Sequence, residues 1–196
     1  MFKWGIIGLG RIAQKFAKEL LETGVGTISA VGSRDRTKAE AFAQNFAGQP
    51  FGSYDDFINN GNMDAVYIAV PHPMHLELAL KCLEKKIPVL CEKPFTINTR
   101  ELKELMVQAK KSDIFLMEAM WSRFMPHIKW MKENYDAGTF GKIIHLKAEF
   151  SFKGKERGLR DGVKRLIENE LGGGALLDIG IYPLFLSYLV SEVSQI

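Results

Sequence analysis

Asp178 and Tyr182 stand four residues apart in the stretch "GGGALLDIGIYPLF" (172–185), among leucines and isoleucines. Four residues make about one helical turn, so a helix here puts the carboxylate and the phenol on one face. An ionised carboxylate in an apolar helix is costly unless something pairs with it. Far upstream, Gly8-Leu9-Gly10-Arg11-Ile12-Ala13 has the spacing GxGxxA. Between a strand and a helix, such a loop turns tightly at its first glycine and lets the backbone approach a ligand at its second. The small third residue lets helix and strand pack closely, and the helix N-terminus offers its unpaired N–H groups to a pyrophosphate. Gly8, Gly10, Arg11 and Ile12 are therefore candidate dinucleotide contacts.

Two further groups lie where a doubly wound sheet receives ligands. An acidic residue about 20 positions past the glycines usually holds the ribose 2′-hydroxyl of NAD. Ser33 and Arg34 occupy that place, with Lys38 one turn on. A hydroxyl and two cations suit a 2′-phosphate, so the expected cofactor is NADP. In the alternative, Asp35 does the work and the cofactor is NAD. Glu92-Lys93-Pro94 follows another apolar run and sets a lysine at the mouth of the same crevice.

These residues need a scaffold, and the first half of the chain writes one. "KWGIIG" (3–8), "TISAVGS" (27–33), "DAVYIAV" (64–70), "PVLCE" (88–92) and "IFLMEA" read as buried strands. Between them, "RIAQKFAKELLETG", "RTKAEAFAQNFAG", "SYDDFINN" with its Ser53 cap, "PMHLELALKCLEKK" and "TRELKELMVQAKKS" read as helices. Strand–helix alternation of this kind predicts an α/β fold, a Rossmann-type doubly wound parallel sheet over residues 1–123. At "GKIIHLKAEFSF" the pattern becomes strict alternation of apolar and polar residues, the signature of a strand with one wet face. A second domain, the start of an α+β open sheet, is expected over residues 124–196. One strand is not a sheet, so the sequence reads as cut short.

The segments "GLGRIA", "SRD" with Lys38, "AVPHPMH", "CEKP", "MEAMWSRFMP", "GTFGKI" and "GGGALLDIGIY" occur in an order and spacing that resembles the Gfo/Idh/MocA oxidoreductases. Within them, the likeness is to the branch of dimeric dihydrodiol dehydrogenases and NADP-linked D-xylose dehydrogenases. The resemblance implies that Pro71, His72 and His75 line the nicotinamide ribose side, Glu92 binds that ribose, and Lys93 sits beside the nicotinamide. It places Trp121 and Arg123 near the same end, and turns Asp178 and Tyr182 toward the nicotinamide. Many family members carry histidine where this chain has Tyr182, which favours the dihydrodiol dehydrogenase branch. A phenol ordinarily keeps its proton to about pH 10, and a nearby ammonium makes it a better base. Lys93 is the candidate ammonium, Tyr182 the acid/base group, and Asp178 the group that orients a substrate hydroxyl or pairs with Lys93.

The implied activity is hydride transfer between NADP and a vicinal diol or pyranose sugar. A non-catalytic NADP-binding sensor and an inactive truncated fragment are the other readings. Composition narrows the field. A net charge of +3 is too weak a bias for nucleic acid, and Asp178 and Pro183 interrupt the longest apolar stretch, so no membrane span is expected. The two cysteines, Cys82 and Cys91, are too few and too far apart for a metal knuckle or a disulfide framework, so no metal is expected. No targeting segment is read at the start, which points to the cytoplasm. The resemblance implies a homodimer or higher homo-oligomer. The cationic stretch "FKGKERGLRDGVKR" (152–165) is read as a solvated loop without a role.

Overall fold

The computed structural model describes residues 1–151 and 168–191. These form two compact units, Met1–Ala119 and Met120–Ile196. The division lies four residues before the expected boundary, so Trp121 and Arg123 belong to the second unit.

The first unit alternates strand and helix throughout: β1 (Phe2–Ile7), α1 (Arg11–Thr23), β2 (Gly26–Gly32), α2 (Arg36–Phe46), β3 (Gln49–Phe51), α3 (Tyr54–Asn60), β4 (Ala65–Ile68), α4 (His75–Glu84), β5 (Val89–Cys91), α5 (Thr99–Ser112) and β6 (Leu116–Glu118). A 3₁₀ turn, His72–Met74, leads into α4. All strand pairs are parallel, in the order β3-β2-β1-β4-β5-β6. That is the Rossmann order, with the switch point between β1 and β4 and the ligand crevice at their C-terminal ends.

Helices on both faces explain why the strands read as continuous apolar runs. Ile6 packs with Ala13, Ala17 and Leu20 of α1 and Phe42 of α2. Its neighbour Ile7 points the other way, into Phe57, Leu78, Leu83 and Leu105 of α3, α4 and α5. Alternation along the strand divides β4 likewise, with Tyr67 on the α1 face and Val66 and Ile68 on the other. Each such fully buried aliphatic side chain is worth about 1.5–3 kcal/mol. Cys82 and Cys91 are free thiols in this core, and burial pushes Cys82 up to about 12.

The strand β3 was not expected. It has three residues, contains Pro50, and among the described residues pairs only with β2. A proline cannot donate to a ladder, so it belongs on an edge, where its missing N–H costs nothing.

The second unit holds a 3₁₀ turn Trp121–Phe124, α6 (Pro126–Asp136), a 3₁₀ turn Asn169–Leu171, a π-helical turn Leu176–Gly180 and α7 (Ile181–Val190), with α6 packed on α7. The strand expected over 143–152 does not form in its described part. No strand follows β6 among the described residues, and alternation of apolar and polar side chains makes a strand only where a partner supplies the ladder. Ile144 is 93% exposed and Phe150 45%. Phe152 and the cationic stretch at 152–165 lie outside the described residues. Among the described residues no helix is long and apolar enough to cross a membrane.

Candidate active site

Gly8 follows β1 with φ +85°, and a Cβ there would lie 2.5 Å from the Ala69 carbonyl oxygen. Conformation and space both demand glycine. Its N–H donates to the Gly32 carbonyl at 3.1 Å, which ties the loop to the end of β2. Gly10 is the N-cap of α1, a helix with no side-chain cap and no acid in its first turn. A Cβ on Gly10 would meet nothing within 4 Å. Protein packing therefore does not require glycine there. A diphosphate resting on the helix N-terminus does require that open approach. Arg11 and Ile12, in the first turn, are exposed beside it, and Ala13 is wholly buried against the sheet.

At the end of β2, Ser33 is buried and its N–H donates to Phe51 O at 3.2 Å. Its hydroxyl accepts the Asp35 N–H at 3.1 Å. Asp35 itself caps α2, its Oδ1 accepting the N–H groups of Thr37 at 3.0 Å and Lys38 at 3.3 Å. One oxygen of the carboxylate that would have to hold a ribose hydroxyl is thus engaged at a helix end. Arg34 and Lys38 are exposed. The Arg34 guanidinium hydrogen-bonds the Tyr54 phenol; half-burial pushes that phenol up and Arg34 holds it down.

The loops after β4 and β5 and the end of β6 meet near Lys93. Glu92 N–H donates to Ile68 O, and the Glu92 carboxylate accepts the Tyr67 phenol on Oε1 at 2.5 Å and the Lys93 N–H on Oε2 at 3.2 Å. From β6, Glu118 Oε1 accepts the Phe95 N–H at 2.8 Å. Burial pushes the Glu118 carboxyl up, the Phe95 N–H pulls it down, Glu92 pushes it up and Lys93 pulls it down, for a net rise. Lys93 is therefore flanked by Glu92 on its own turn and Glu118 on the next strand. Pro71 is half-buried, and His72 is buried with its ring edge-on to His75 at 5.6 Å.

His75 departs from expectation. It is 0% exposed, with Nδ1 2.8 Å from the Pro94 carbonyl and Nε2 2.9 Å from the Val70 carbonyl. Burial pulls its titration below the ordinary histidine range, against the lift from the two carbonyls and Glu92. Both ring nitrogens face backbone, so the expected cofactor contact gives way to a brace between the loop after β4 and the turn after β5.

In the second unit, Trp121 Nε1–H donates to Tyr182 Oη at 2.9 Å, and the rings meet edge-on at 5.7 Å. Phe150 also tilts against the phenol ring, 5.0 Å between centroids. Indole is a donor only, so the phenol oxygen is the acceptor and its own proton points elsewhere. Asp178 lies in the π-helical turn that leads into α7, one turn before Tyr182, and its N–H donates to Gly174 O at 3.2 Å. Such π turns occur frequently at functional sites. Asp178 and Tyr182 are both half-buried, while Trp121 and Arg123 are exposed.

Comparison with known proteins decides the family. Residues 2–120 match the Gfo/Idh/MocA oxidoreductase family with its NAD-binding Rossmann fold, and residues 128–196 match the Gfo/Idh/MocA C-terminal domain. The chain belongs to the Gfo/Idh/MocA oxidoreductases. It is 38% identical over 191 residues to the trans-1,2-dihydrobenzene-1,2-diol dehydrogenase of Mus musculus, covering 95% of this chain and 56% of that protein. It is 34% identical over 200 residues to the NADP(+) D-xylose 1-dehydrogenase of Hypocrea jecorina, covering 93% and 51%. Among solved structures it is similar to KijD10, a 3-ketoreductase from Actinomadura kijaniata in complex with NADP and TDP-benzene. The TM-score is 0.84 at 30% identity, over 96% of this chain and 57% of that one. The chain spans about half the length of the curated relatives it matches.

A Gfo/Idh/MocA cofactor fits the residues present. The open approach at Gly10 and the N-terminus of α1, which no side chain caps, would take a diphosphate, and Glu92 and Lys93 lie at the end of β5 in the same sheet. Among the described residues no cluster of histidine, cysteine and acidic side chains could hold a metal ion. Sequence reasoning missed Tyr67 and Glu118. Tyr67 is one letter in an apolar strand, and only its place beside Glu92 in the sheet reveals its use. Glu118 closes the sixth strand as Glu92 follows the fifth, and that parallel was available in "CEKP" and "MEA".

Proposed function

We propose that this chain forms the cofactor-binding half of an NADP-dependent dehydrogenase that transfers hydride between NADP and a vicinal diol or a pyranose sugar. The observation that carries NADP rather than NAD is the engagement of Asp35 as the cap of α2, while Arg34 and Lys38 stand exposed beside Ser33. Arg34 and Lys38 would hold the 2′-phosphate and Ser33 would donate to it; Gly8, Gly10, Arg11 and Ile12 would carry the diphosphate. Glu92 would accept from the nicotinamide ribose, with Pro71 and His72 lining that side. NADP, when bound, supplies the hydride acceptor.

The chain's own residues handle the proton. Tyr182 is the acid/base group, since the Trp121 N–H on its oxygen supports negative charge developing there. Asp178, one turn earlier, orients the substrate hydroxyl, and Lys93 supplies positive charge at the nicotinamide end. Names of relatives support the substrate class: a dihydrodiol dehydrogenase, an NADP-linked xylose dehydrogenase and a 3-ketoreductase in complex with TDP-benzene and NADP, studied with a lysine replaced by alanine and a tyrosine by phenylalanine. On this reading it is a cytoplasmic protein that works as a homodimer or higher homo-oligomer on a small-molecule substrate, without a nucleic-acid or membrane partner. Titration of the chain with NADP and NAD, followed by a screen of diols and aldoses for NADPH formation, tests the reading. Equal affinities for the two dinucleotides would overturn the cofactor assignment.

A further inference from the structure

Tyr67 has no packing reason to carry a hydroxyl. It lies in β4 with its neighbours Ala65, Val66 and Ile68 all buried, and is itself 2% exposed. Its ring stacks on Phe16 of α1, centroids 4.1 Å apart and planes at 25°. Phe16 meets Trp4 of β1 edge-on at 5.4 Å. A phenylalanine would keep these contacts, so the oxygen is there for what it touches. It touches Glu92 Oε1 at 2.5 Å, while Glu92 Oε2 accepts the Lys93 N–H. Burial first, and then the Glu92 charge, push the Tyr67 phenol far up, so it keeps its proton and is the donor of this bond. A carboxylate with both oxygens engaged is held in one rotamer.

We propose that Tyr67 is a positioning residue of the cofactor site: it fixes the Glu92 carboxylate, on a ring anchored to the helix that opens at the glycine loop. The diphosphate end and the ribose end of the crevice are thereby held at a set spacing through Phe16, Tyr67 and Glu92. Positioning of this kind acts on affinity for the nicotinamide half of the dinucleotide and leaves the adenosine half untouched. The proposal rests on the reading of Glu92 as the residue that binds the nicotinamide ribose, and the test separates the two.

The 196-residue chain is titrated calorimetrically with NADPH and with 2′,5′-ADP, which carries only the adenosine half. Tyr67→Phe removes one oxygen and keeps the stacking on Phe16. It is expected to weaken NADPH binding about fivefold to tenfold, less than the loss of a direct hydrogen bond to a charged group because the phenol acts through Glu92 and not on the ligand, with 2′,5′-ADP affinity unchanged. Glu92→Ala is expected to weaken NADPH in the same selective way. The double variant is expected to be no weaker than Glu92→Ala, because the phenol acts only through that carboxylate. If Glu92→Ala weakens NADPH and Tyr67→Phe does not, Tyr67 is packing and the proposal falls while the reading of Glu92 stands. If Glu92→Ala leaves NADPH affinity intact, the reading falls and takes the proposal with it. If Tyr67→Phe weakens both ligands equally, the effect is general loosening, and the proposal is overturned.

Discussion

Glu118 of β6 accepts the backbone N–H of Phe95 at 2.8 Å, so the turn that presents Lys93 is anchored by a carboxylate from the neighbouring strand. The same carboxylate feels the charge of Lys93 and that of Glu92. Two acids and one ammonium therefore share the C-terminal ends of β5 and β6. Neither acid is spare: Glu92 holds a phenol and Glu118 holds the turn.

Glu118 titrates above its ordinary range, with burial the largest cause. An acid raised in the folded state binds more protons folded than unfolded, so its contribution to stability falls as pH rises from the ordinary carboxylate value through the raised one. Glu118→Gln keeps an oxygen for the Phe95 N–H and removes the buried charge. It should melt higher than the parent at pH 7, with the gap closing as pH falls toward about 4. Glu118→Ala should melt lower than the parent at every pH, since an N–H left without its acceptor costs about 1–3 kcal/mol. Melting curves of the three proteins across this range check both signs; a Glu118→Gln protein that melts lower at pH 7 would refute the assignment.

Cofactor choice separates from helix capping at adjacent residues. Arg34→Ala should erase most of the preference for NADP over NAD, about tenfold to a hundredfold for one phosphate–guanidinium bond. Asp35→Ala should leave that ratio alone and lower stability by about 0.5–2 kcal/mol through loss of the α2 cap. Dissociation constants for both dinucleotides, with thermal melts, decide. A swing in the NADP-to-NAD ratio on Asp35→Ala would show that the carboxylate reaches the ribose after all.

Chemistry at the phenol predicts a different split. In protein that turns over, Tyr182→Phe should leave NADP affinity nearly intact and lower kcat on the order of a hundredfold or more. Trp121→Phe keeps an aromatic partner and removes the indole donor, so its kcat should fall by about tenfold, again without a change in NADP affinity. Full activity in Tyr182→Phe would make the phenol a packing residue beside Phe150.

The legible parts of this fold are those with a local cause. β1 and β4 are apolar runs because helices cover both their faces, and the Gly8–Ala13 loop is spelled by the turn it makes. Ser53 caps α3 as its position reads, while Asp35 and Asn98 cap α2 and α5 by the same local chemistry, a signal that sequence reasoning missed. Illegible parts depend on what lies across the sheet. β3 is short and carries a proline, so nothing local marks it. His75 reads as a site residue because the family resemblance sets it there; the two carbonyls against its ring, Val70 and Pro94, come from two different loops. Alternation from Ile144 to Phe150 was read as a strand, yet pairing is a property of two segments, and none of the described residues supplies the second.

Glycine at positions 8 and 10 should fail in opposite ways. At Gly8 an alanine must take φ +85° and set its Cβ 2.5 Å from the Ala69 carbonyl oxygen and 2.8 Å from a Val70 methyl. Backbone cannot give way there without parting β1 from β4, so Gly8→Ala should lose several kcal/mol of stability or not fold. At Gly10 the φ of −83° is open to any residue, and a Cβ meets nothing within 4 Å. Gly10→Ala should therefore cost no more than about 1 kcal/mol, the difference between glycine and alanine as an N-cap. Yet its methyl occupies the path by which a diphosphate reaches the first N–H groups of α1, so NADP affinity should fall by at least about tenfold. Thermal melts and NADPH titrations of the two variants make the comparison. A Gly10→Ala protein that binds NADPH as tightly as the parent would mean that the dinucleotide does not lie on the glycine loop, and the cofactor site would have to be sought elsewhere in the crevice.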